Sequence, residues 1–435
     1  MVFNPELLYA DRIGGRNFGK PGTKKYKFQV IKDAKQAWQT ANPDGELLDF
    51  GVGEHDGFAP ESSIDALIKE VRDPRNRRYT DNGPEDVQQT IVKYANRMLG
   101  LNLPTGKEAA NWFIHGAGSK PVLAYLPTAF VNPGDGVVMT VPGYPVFGTN
   151  AAYLEGKVIN LPLYEKNKFL PDLNDADGVI EAFNRNNSSK GNRVKAFVIN
   201  YPNNPTGAGA PLEFLDNLAE LAIRHNFIVV HDAAYMGWSF NGTPPQTILN
   251  AKGGLECGIL VPSASKAFNG IPWRFGGALG NPRLVAAYGN VKDNKDSGQS
   301  PFVQRAIAKA FEDPSFSEVL GRKYGRRLEG LVGTLNSHGF DAKMPDGTFF
   351  LYTKAPKGIK GEPNKFVTAQ DSSTYMLSKQ GILTVPWDDA GQYVRWSVAF
   401  SDGKAHNLVE GDPVAEKRIL GELNSRLGKL ELTFN

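Results

Sequence analysis

Cysteine is almost absent: the chain of 435 residues carries one, Cys257. No internal disulfide can form, and zinc sites that need two or more thiolates from one chain are excluded. That scarcity suits a reducing compartment. Long apolar runs are missing too. No stretch approaches the ~20 apolar residues needed to cross a bilayer. The segment Met1 to Arg12 has acids inside its apolar run and lacks the basic start of a secretory signal. The expectation is a soluble, cytoplasmic protein. Neither sign of charge is in excess, with 49 Lys and Arg against 46 Asp and Glu, a net +3. Such a balance gives no reason to expect a nucleic-acid partner. Nucleotide signatures are also wanting: Gly116 and Gly118 lack the third glycine of the dinucleotide fingerprint, and no Walker lysine pattern occurs. Gly51-Val-Gly53 and Gly207-Ala-Gly209 are equally weak. Internal repeats and low-complexity linkers are absent.

What remains is an ordinary globular composition, 41% hydrophobic with 47 glycines, long enough for two or more domains. Short apolar runs alternate with helix-period segments through the middle of the chain. Val137–Val141, Ala196–Asn200, Phe227–His231 and Gly258–Val261 read as buried strands, rich in β-branched residues and bounded by Gly, Pro or Asn. Leu212–Ile223 has its apolar residues at helical spacing. Strand, helix, strand in that order predicts a mostly parallel central sheet flanked by helices, an α/β fold. From about residue 330 the pattern changes. Asp341–Tyr352 reads as antiparallel strands joined by a turn, and Tyr393–Val398 as another strand. The expected division is an N-terminal arm and part of a small domain over 1–60, a large domain over 61–325, and the rest of a smaller α+β domain over 326–435. The basic run Arg72–Arg78 reads as a solvated loop.

Six groups of residues carry chemistry. Ser263-Ala-Ser-Lys266 follows the strand ending at Val261, with Arg274 eight residues beyond the lysine. A lysine just past a buried strand sits at the carboxyl edge of the sheet, where open α/β folds bind ligands. Desolvation or nearby cations make such an amine a nucleophile toward a carbonyl, which suits a Schiff base with an aldehyde cofactor. The serines and the guanidinium are suitable phosphate ligands. Asp232-Ala-Ala-Tyr235 follows another strand. Its carboxylate either holds a protonated heteroaromatic nitrogen or caps the next helix, and Tyr235 presents a hydroxyl nearby or simply packs. Asn200-Tyr-Pro-Asn-Asn-Pro-Thr-Gly207 projects Asn204 from a third strand end, because Asn-Pro enforces an extended residue and a turn. Gly118, Ser119 and Lys120 lie in a glycine-rich turn before a helix, an anion site. Pro142-Gly-Tyr-Pro145 offers Tyr144 for stacking on a planar group, or as a turn aromatic. Arg395, set among apolar residues in a strand, needs a partner, either a substrate carboxylate held by two hydrogen bonds or a structural ion pair.

Taken together these residues resemble the class I/II aminotransferases, the fold-type I enzymes that use pyridoxal 5'-phosphate. The resemblance covers essentially the whole chain. Ser263-x-x-Lys266 with Arg274, Asp232-x-x-Tyr235 and Asn204-Pro-Thr-Gly stand in that family's order and spacing. The resemblance implies that Lys266 binds the cofactor aldehyde and moves the proton between Cα and the cofactor. Asp232 would pair with the pyridine nitrogen, and Tyr235 and Asn204 would contact the phenolic oxygen. Gly118, Ser119, Lys120, Ser263 and Arg274 would surround the phosphate, and Tyr144 would stack on the ring. Arg395, with Asn204, would hold the substrate α-carboxylate, and the backbone near Gly53 would close over it. Tyr79 matches a tyrosine that reaches the phosphate from a neighbouring subunit, and Ser297 matches a residue also drawn from that neighbour, which implies a homodimer with shared sites.

Within that family the chain is most similar to the LL-diaminopimelate aminotransferases. The similarity lies in Gly51-Val-Gly-Glu54, Arg78–Gly83, Gly118–Pro121, Val141–Val146, Val229–Tyr235 and Val291–Gln299. Tyr26-Lys-Phe28 resembles an N-terminal tyrosine that lies over the active site there. Pro272, where glycine is commoner, and His115-Gly-Ala117 depart from the pattern, and no residue maps onto the distal end of the substrate. The implied reaction is reversible amino transfer between an amino acid and a 2-oxo acid, with LL-diaminopimelate and 2-oxoglutarate expected. Aspartate, aromatic or branched substrates are the alternatives, with a pyridoxal-phosphate lyase or cyclase as another class. A cofactor-sensing transcription regulator is disfavoured, because the aminotransferase-like region starts near residue 26 and leaves no room for a winged helix.

Overall fold

The computed structural model describes residues 4, 7–20, 27–238, 240, 245–313, 315–400 and 409–434. Its larger part is built on a seven-stranded sheet whose strands, in chain order, are β1 Phe113–Gly116, β2 Gly136–Val141, β3 Lys157–Pro162, β4 Val194–Asn200, β5 Ile228–Asp232, β6 Gly258–Val261 and β7 Gly276–Gly280. Their spatial order is β1-β7-β6-β5-β4-β2-β3. Strands β3, β2, β4, β5 and β6 pair in parallel, and β7 runs antiparallel to both its neighbours. Alternation within the apolar runs explains why these strands are buried on both faces. Phe197, Val229 and Leu260 enter one core, while Ala196, Val198, Val230 and Ile259 enter the other. Only β3, at the edge, is largely exposed. Helices cover the faces; the predicted helix is found at Leu212–His225. The helix expected after the Gly118–Lys120 turn runs over Ser119–Phe130, so Ser119 and Lys120 are its first residues.

A separate core gathers Leu48 and Phe50 with Leu320 and residues from there to Leu430. Helix Ser315–Asn336 packs against helix Pro413–Gly428. Strands β8 Phe350–Lys354, β9 Val385–Trp387 and β10 Tyr393–Ser397 make an antiparallel sheet in the order β9-β10-β8. Leu48–Asp49 pairs in parallel with Ile382–Leu383, which ties the N-terminal segment to the C-terminal one.

The expected hairpin over 341–352 is not formed. Only its end enters a strand, and β8 pairs with β10 rather than with the preceding residues. Residues 345–347 pack instead on the loop after β4. The Asp346 N–H donates to Gly207 O at 3.0 Å, and Gly209 N–H donates to Asp346 Oδ2 at 2.8 Å. A long-range loop contact takes the backbone groups that a hairpin would have paired. In the basic run, Asp73 caps a short 3₁₀ turn over Pro74–Arg77. Among the described residues no helix is long and apolar enough to cross a membrane, and no cluster of three His, Cys, Asp or Glu has metal-binding geometry.

Candidate active site

The parallel strands all end on one edge of the sheet. Register brings Asn200 beside Asp232, and Asp232 beside Val261. Residues just past each strand therefore converge, and a cavity of about 530 Å3 opens there, within the usual range for small-ligand sites.

Lys266 comes from β6. A one-turn helix, Ala264–Ala267, begins right after the strand, and Ser263 caps it by accepting from Ser265 N–H at 3.1 Å. The turn carries the lysine into the cavity, where its ammonium donates to Gly53 O. Among the described residues no carboxylate lies within ion-pair distance of it. Burial lowers its pKa to about 8, with Arg395 and Arg274 pushing the same way and Glu54 opposing them. The neutral amine is thus the major form above about pH 8 rather than above 10.5, which is the state a nucleophile or base needs.

Asp232 closes β5, and its Oδ1 is buried without a hydrogen-bond partner. Burial raises the carboxyl pKa to about 7, offset by the Ala234 N–H alone. No helix follows, so the capping reading fails. A buried carboxylate lacking a cation is costly, and a protonated ring nitrogen would supply that cation. Asn200 braces this corner: its Nδ2 donates to Asp232 O at 2.9 Å and its Oδ1 accepts from Asn204 N–H at 2.9 Å. Tyr235, also buried, packs edge-on against Phe349 and Phe350. Burial raises its phenol well above the usual value, so the hydroxyl stays protonated.

At the other end lies an anion cradle. Gly118 adopts φ +94° just before the helix Ser119–Phe130, and an added Cβ would stand 2.3 Å from Arg274 Nη2. Arg274 (φ +53°) donates to Ile271 O at 3.1 Å and Ala117 O at 3.3 Å. Ser119 and Lys120 line the cavity beside it, as does Tyr144. Open N–H groups at a helix start together with a guanidinium fit a phosphate. The amine, the unpartnered carboxylate and this cradle together fit a phosphorylated aromatic aldehyde.

Arg395 reaches in from β10. It is 1% exposed, donates to Asn204 Oδ1 at 2.9 Å and to Gly51 O at 3.1 Å, and lies 3.9 Å above the Phe350 ring. The loop 51–58 thereby meets both basic groups, Arg395 through Gly51 and Lys266 through Gly53. Its far side is anchored by buried charge: Asp56 pairs with Lys323 at 2.7 Å and Arg327 at 2.9 Å, and Arg327 also pairs with Glu416 at 2.8 Å. His55 Nδ1 lies 2.8 Å from the Tyr324 hydroxyl.

The cavity wall thus brings together Gly53, Asn204, Arg395 and the residues of the β5 and β6 strand ends. Gly118 stands just behind the wall against Arg274. Two further sequence candidates lie off this chain's own cavity: Tyr79 is 84% exposed, and Ser297 is exposed with its carbonyl accepting from Asp81 N–H at 3.2 Å. Tyr26 falls outside the described residues. Sequence reasoning missed Asn200, Phe350 and Asp56. The first was legible as an Asn closing an apolar strand. The other two carry no local signal, because their partners are about 45 and 270 positions away in the chain.

The pattern of aminotransferase class I and II matches residues 45–411. An LL-diaminopimelate aminotransferase of Methanococcus maripaludis is 42% identical over 430 residues, with 98% of each chain covered. One from Methanocaldococcus jannaschii is 41% identical, again with 98% of each chain covered. Among solved structures, substrate-bound BacF of Bacillus subtilis superposes with a TM-score of 0.80 at 23% identity, covering 100% of this chain and 99% of that one. Thermus thermophilus aspartate aminotransferase gives 0.76 at 23% identity, covering 93% and 97%; these two likenesses speak to fold. The sheet order, the strand-end cavity and near full-length likeness agree, and the chain belongs to the class I and II aminotransferases.

Proposed function

We propose that this aminotransferase uses pyridoxal 5'-phosphate to move the amino group of LL-diaminopimelate to 2-oxoglutarate, a step toward lysine, as a cytoplasmic homodimer. The observation that carries the cofactor is the buried, unpartnered Asp232 Oδ1 in one cavity with the Lys266 amine. The names of the relatives at 41–42% identity support the substrate. Residues 61–325 would form the cofactor domain, with 1–60 and 326–435 forming the smaller one. The 84% exposure of Tyr79 favours a second subunit against that face, with Tyr79 and Ser297 completing the partner's site and Tyr26 lying over the substrate.

In this reading Lys266 would carry the cofactor aldehyde and Asp232 would hold its ring nitrogen. Gly118, Ser119, Lys120, Ser263 and Arg274 would hold its phosphate. Tyr144 would stack on the ring, while Tyr235 and Asn204 would meet its phenolic oxygen. Bound there, the cofactor supplies an electron sink for the Cα–H bond of an amino acid. The chain supplies the rest. Arg395, fixed by Asn204, Gly51 and the Phe350 face, takes the α-carboxylate through its two-pronged guanidinium. That fixes which Cα bond points toward Lys266. The Lys266 amine, its pKa lowered to about 8 by burial, would take up and give back the proton at Cα, a transfer worth ~10²–10⁴ in rate. The loop 51–58 lines the site and holds both basic groups, Arg395 through Gly51 O and Lys266 through Gly53 O.

Two expected results bear on this reading. Gly118→Ala forces a side chain into a conformation that costs about 1–3 kcal/mol and displaces Arg274. Its dissociation constant for pyridoxal phosphate should rise tenfold or more, while that for pyridoxal, which lacks the phosphate, should rise far less. Equal weakening of both would remove Gly118 from the phosphate site. For the substrate, a screen of amino donors against 2-oxoglutarate should give glutamate fastest from LL-diaminopimelate. An inert LL-diaminopimelate beside rapid consumption of aspartate or an aromatic amino acid would overturn the assignment.

A further inference from the structure

The far end of the proposed substrate is a second amino-acid head, with one carboxylate and one ammonium. Its recognition calls for a cation and an anion side by side, away from Lys266 and Arg395. The cavity wall can be searched for such a pair by asking which charges are already matched. Asp232 lies on the buried floor. Asp49 is bound by Lys35 at 2.7 Å, and its Oδ1 also accepts from Gly51 N–H at 3.0 Å. Arg274 and Lys120 belong to the Gly118 cradle, and Arg395 to Asn204 and Gly51. Two charges are left. Lys32 and Glu54 both line the cavity, both are exposed on its solvent side, and neither forms an ion pair or side-chain hydrogen bond among the described residues.

Their placement follows from the chain. Ile31, Lys32 and Lys35 lie on neighbouring turns of the helix Lys27–Ala41, and residues three and four apart share a face. Lys35 reaches Asp49, while Lys32 lines the cavity with its side chain exposed. Glu54 follows Gly53, whose carbonyl accepts from Lys266, so its carboxylate stands close enough to favour the lysine's charged form. The cavity thus carries one set of groups for an amino-acid head at its floor, and an unmatched lysine and glutamate on the solvent-exposed part of its wall.

We infer that Lys32 and Glu54 read the distal head of the substrate, Lys32 taking its carboxylate and Glu54 its ammonium. The inference rests on LL-diaminopimelate being the donor. It makes these two side chains the source of preference for a donor with two heads over donors with one.

The test uses the holoenzyme and three amino donors: LL-diaminopimelate, L-2-aminopimelate, which lacks the distal ammonium, and L-lysine, which lacks the distal carboxylate. A hydrogen bond to a charged group is worth enough for a change on the order of tenfold. Glu54→Gln should lower the kcat/KM ratio of LL-diaminopimelate to L-2-aminopimelate about tenfold. Lys32→Met should lower the ratio of LL-diaminopimelate to L-lysine by a similar factor, chiefly through KM, and Lys32→Arg should restore it. Taking ratios removes any general effect of Glu54 on Lys266. Heptanedioate, which has both carboxylates and no amine, gives a reading without turnover: by calorimetry Lys32→Met should weaken it about tenfold, and Glu54→Gln should not weaken it. Ratios and affinities unchanged in both variants would overturn the inference while leaving the substrate assignment intact. A wild-type enzyme inert toward LL-diaminopimelate would overturn both.

Discussion

Lys266→Ala is expected to fold, to bind pyridoxal phosphate without a covalent link, and to lose transamination by ~10⁴ or more. The loss combines the proton transfer, worth ~10²–10⁴ alone, with the nucleophile that carries the cofactor. Folding should survive because the side chain has no carboxylate partner among the described residues and leaves behind one carbonyl, that of Gly53. The net worth of that bond is about 1 kcal/mol. The measurements are a half-reaction with glutamate followed by absorbance and a thermal melt of wild type and variant. Turnover near the wild-type rate would remove Lys266 from the chemistry. A collapsed melt would instead mark it as structural.

Asp232→Asn should separate activity from stability with opposite signs. Losing one partner of a buried charge pair costs about 2–5 kcal/mol, so turnover should fall on the order of 10²–10³. The apoprotein should become more stable, by an amount that grows from about pH 4 to about pH 7 and then levels off. The folded pKa of Asp232 is raised from 3.8 to about 7. Between those values the folded state binds more protons than the unfolded one, and stability therefore declines as pH rises through that window. Asn carries no charge and escapes the decline. At pH 8 the variant apoprotein should melt higher by an amount on the order of a few kcal/mol, and near pH 4 the gap should close. Addition of pyridoxal phosphate should stabilise the wild type more than the variant. A variant apoprotein equal to wild type at pH 8 would mean that the carboxylate has a partner after all.

These two residues were the most legible in the sequence, for a physical reason. A parallel strand covered on both faces is written as an unbroken apolar run, so the first polar residue after the run marks the sheet edge. Asp232 closes its run, and Tyr144, Asn204 and Lys266 follow theirs within three to five residues. Arg395 was legible because a charge among Val394, Trp396 and their neighbours demands a partner. What the sequence hides is partnership over distance. Asp56 looks like any loop acid until Lys323 and Arg327, more than 260 positions on, enclose it. Phe350 reads as one more strand aromatic, yet the Arg395 guanidinium lies on its face. The hairpin expected over 341–352 failed for the same cause, because the loop after β4 competes for its backbone. Lys32 and Glu54 carry no signal at all until the cavity shows that the other charges are matched.

The account depends on one amine holding the cofactor. Holoenzyme prepared with pyridoxal phosphate, reduced with borohydride, digested and weighed by mass spectrometry tests this directly. One peptide, the one containing Lys266, should gain the mass of a single reduced cofactor. Label on another lysine, or none after saturation with the cofactor, would contradict it.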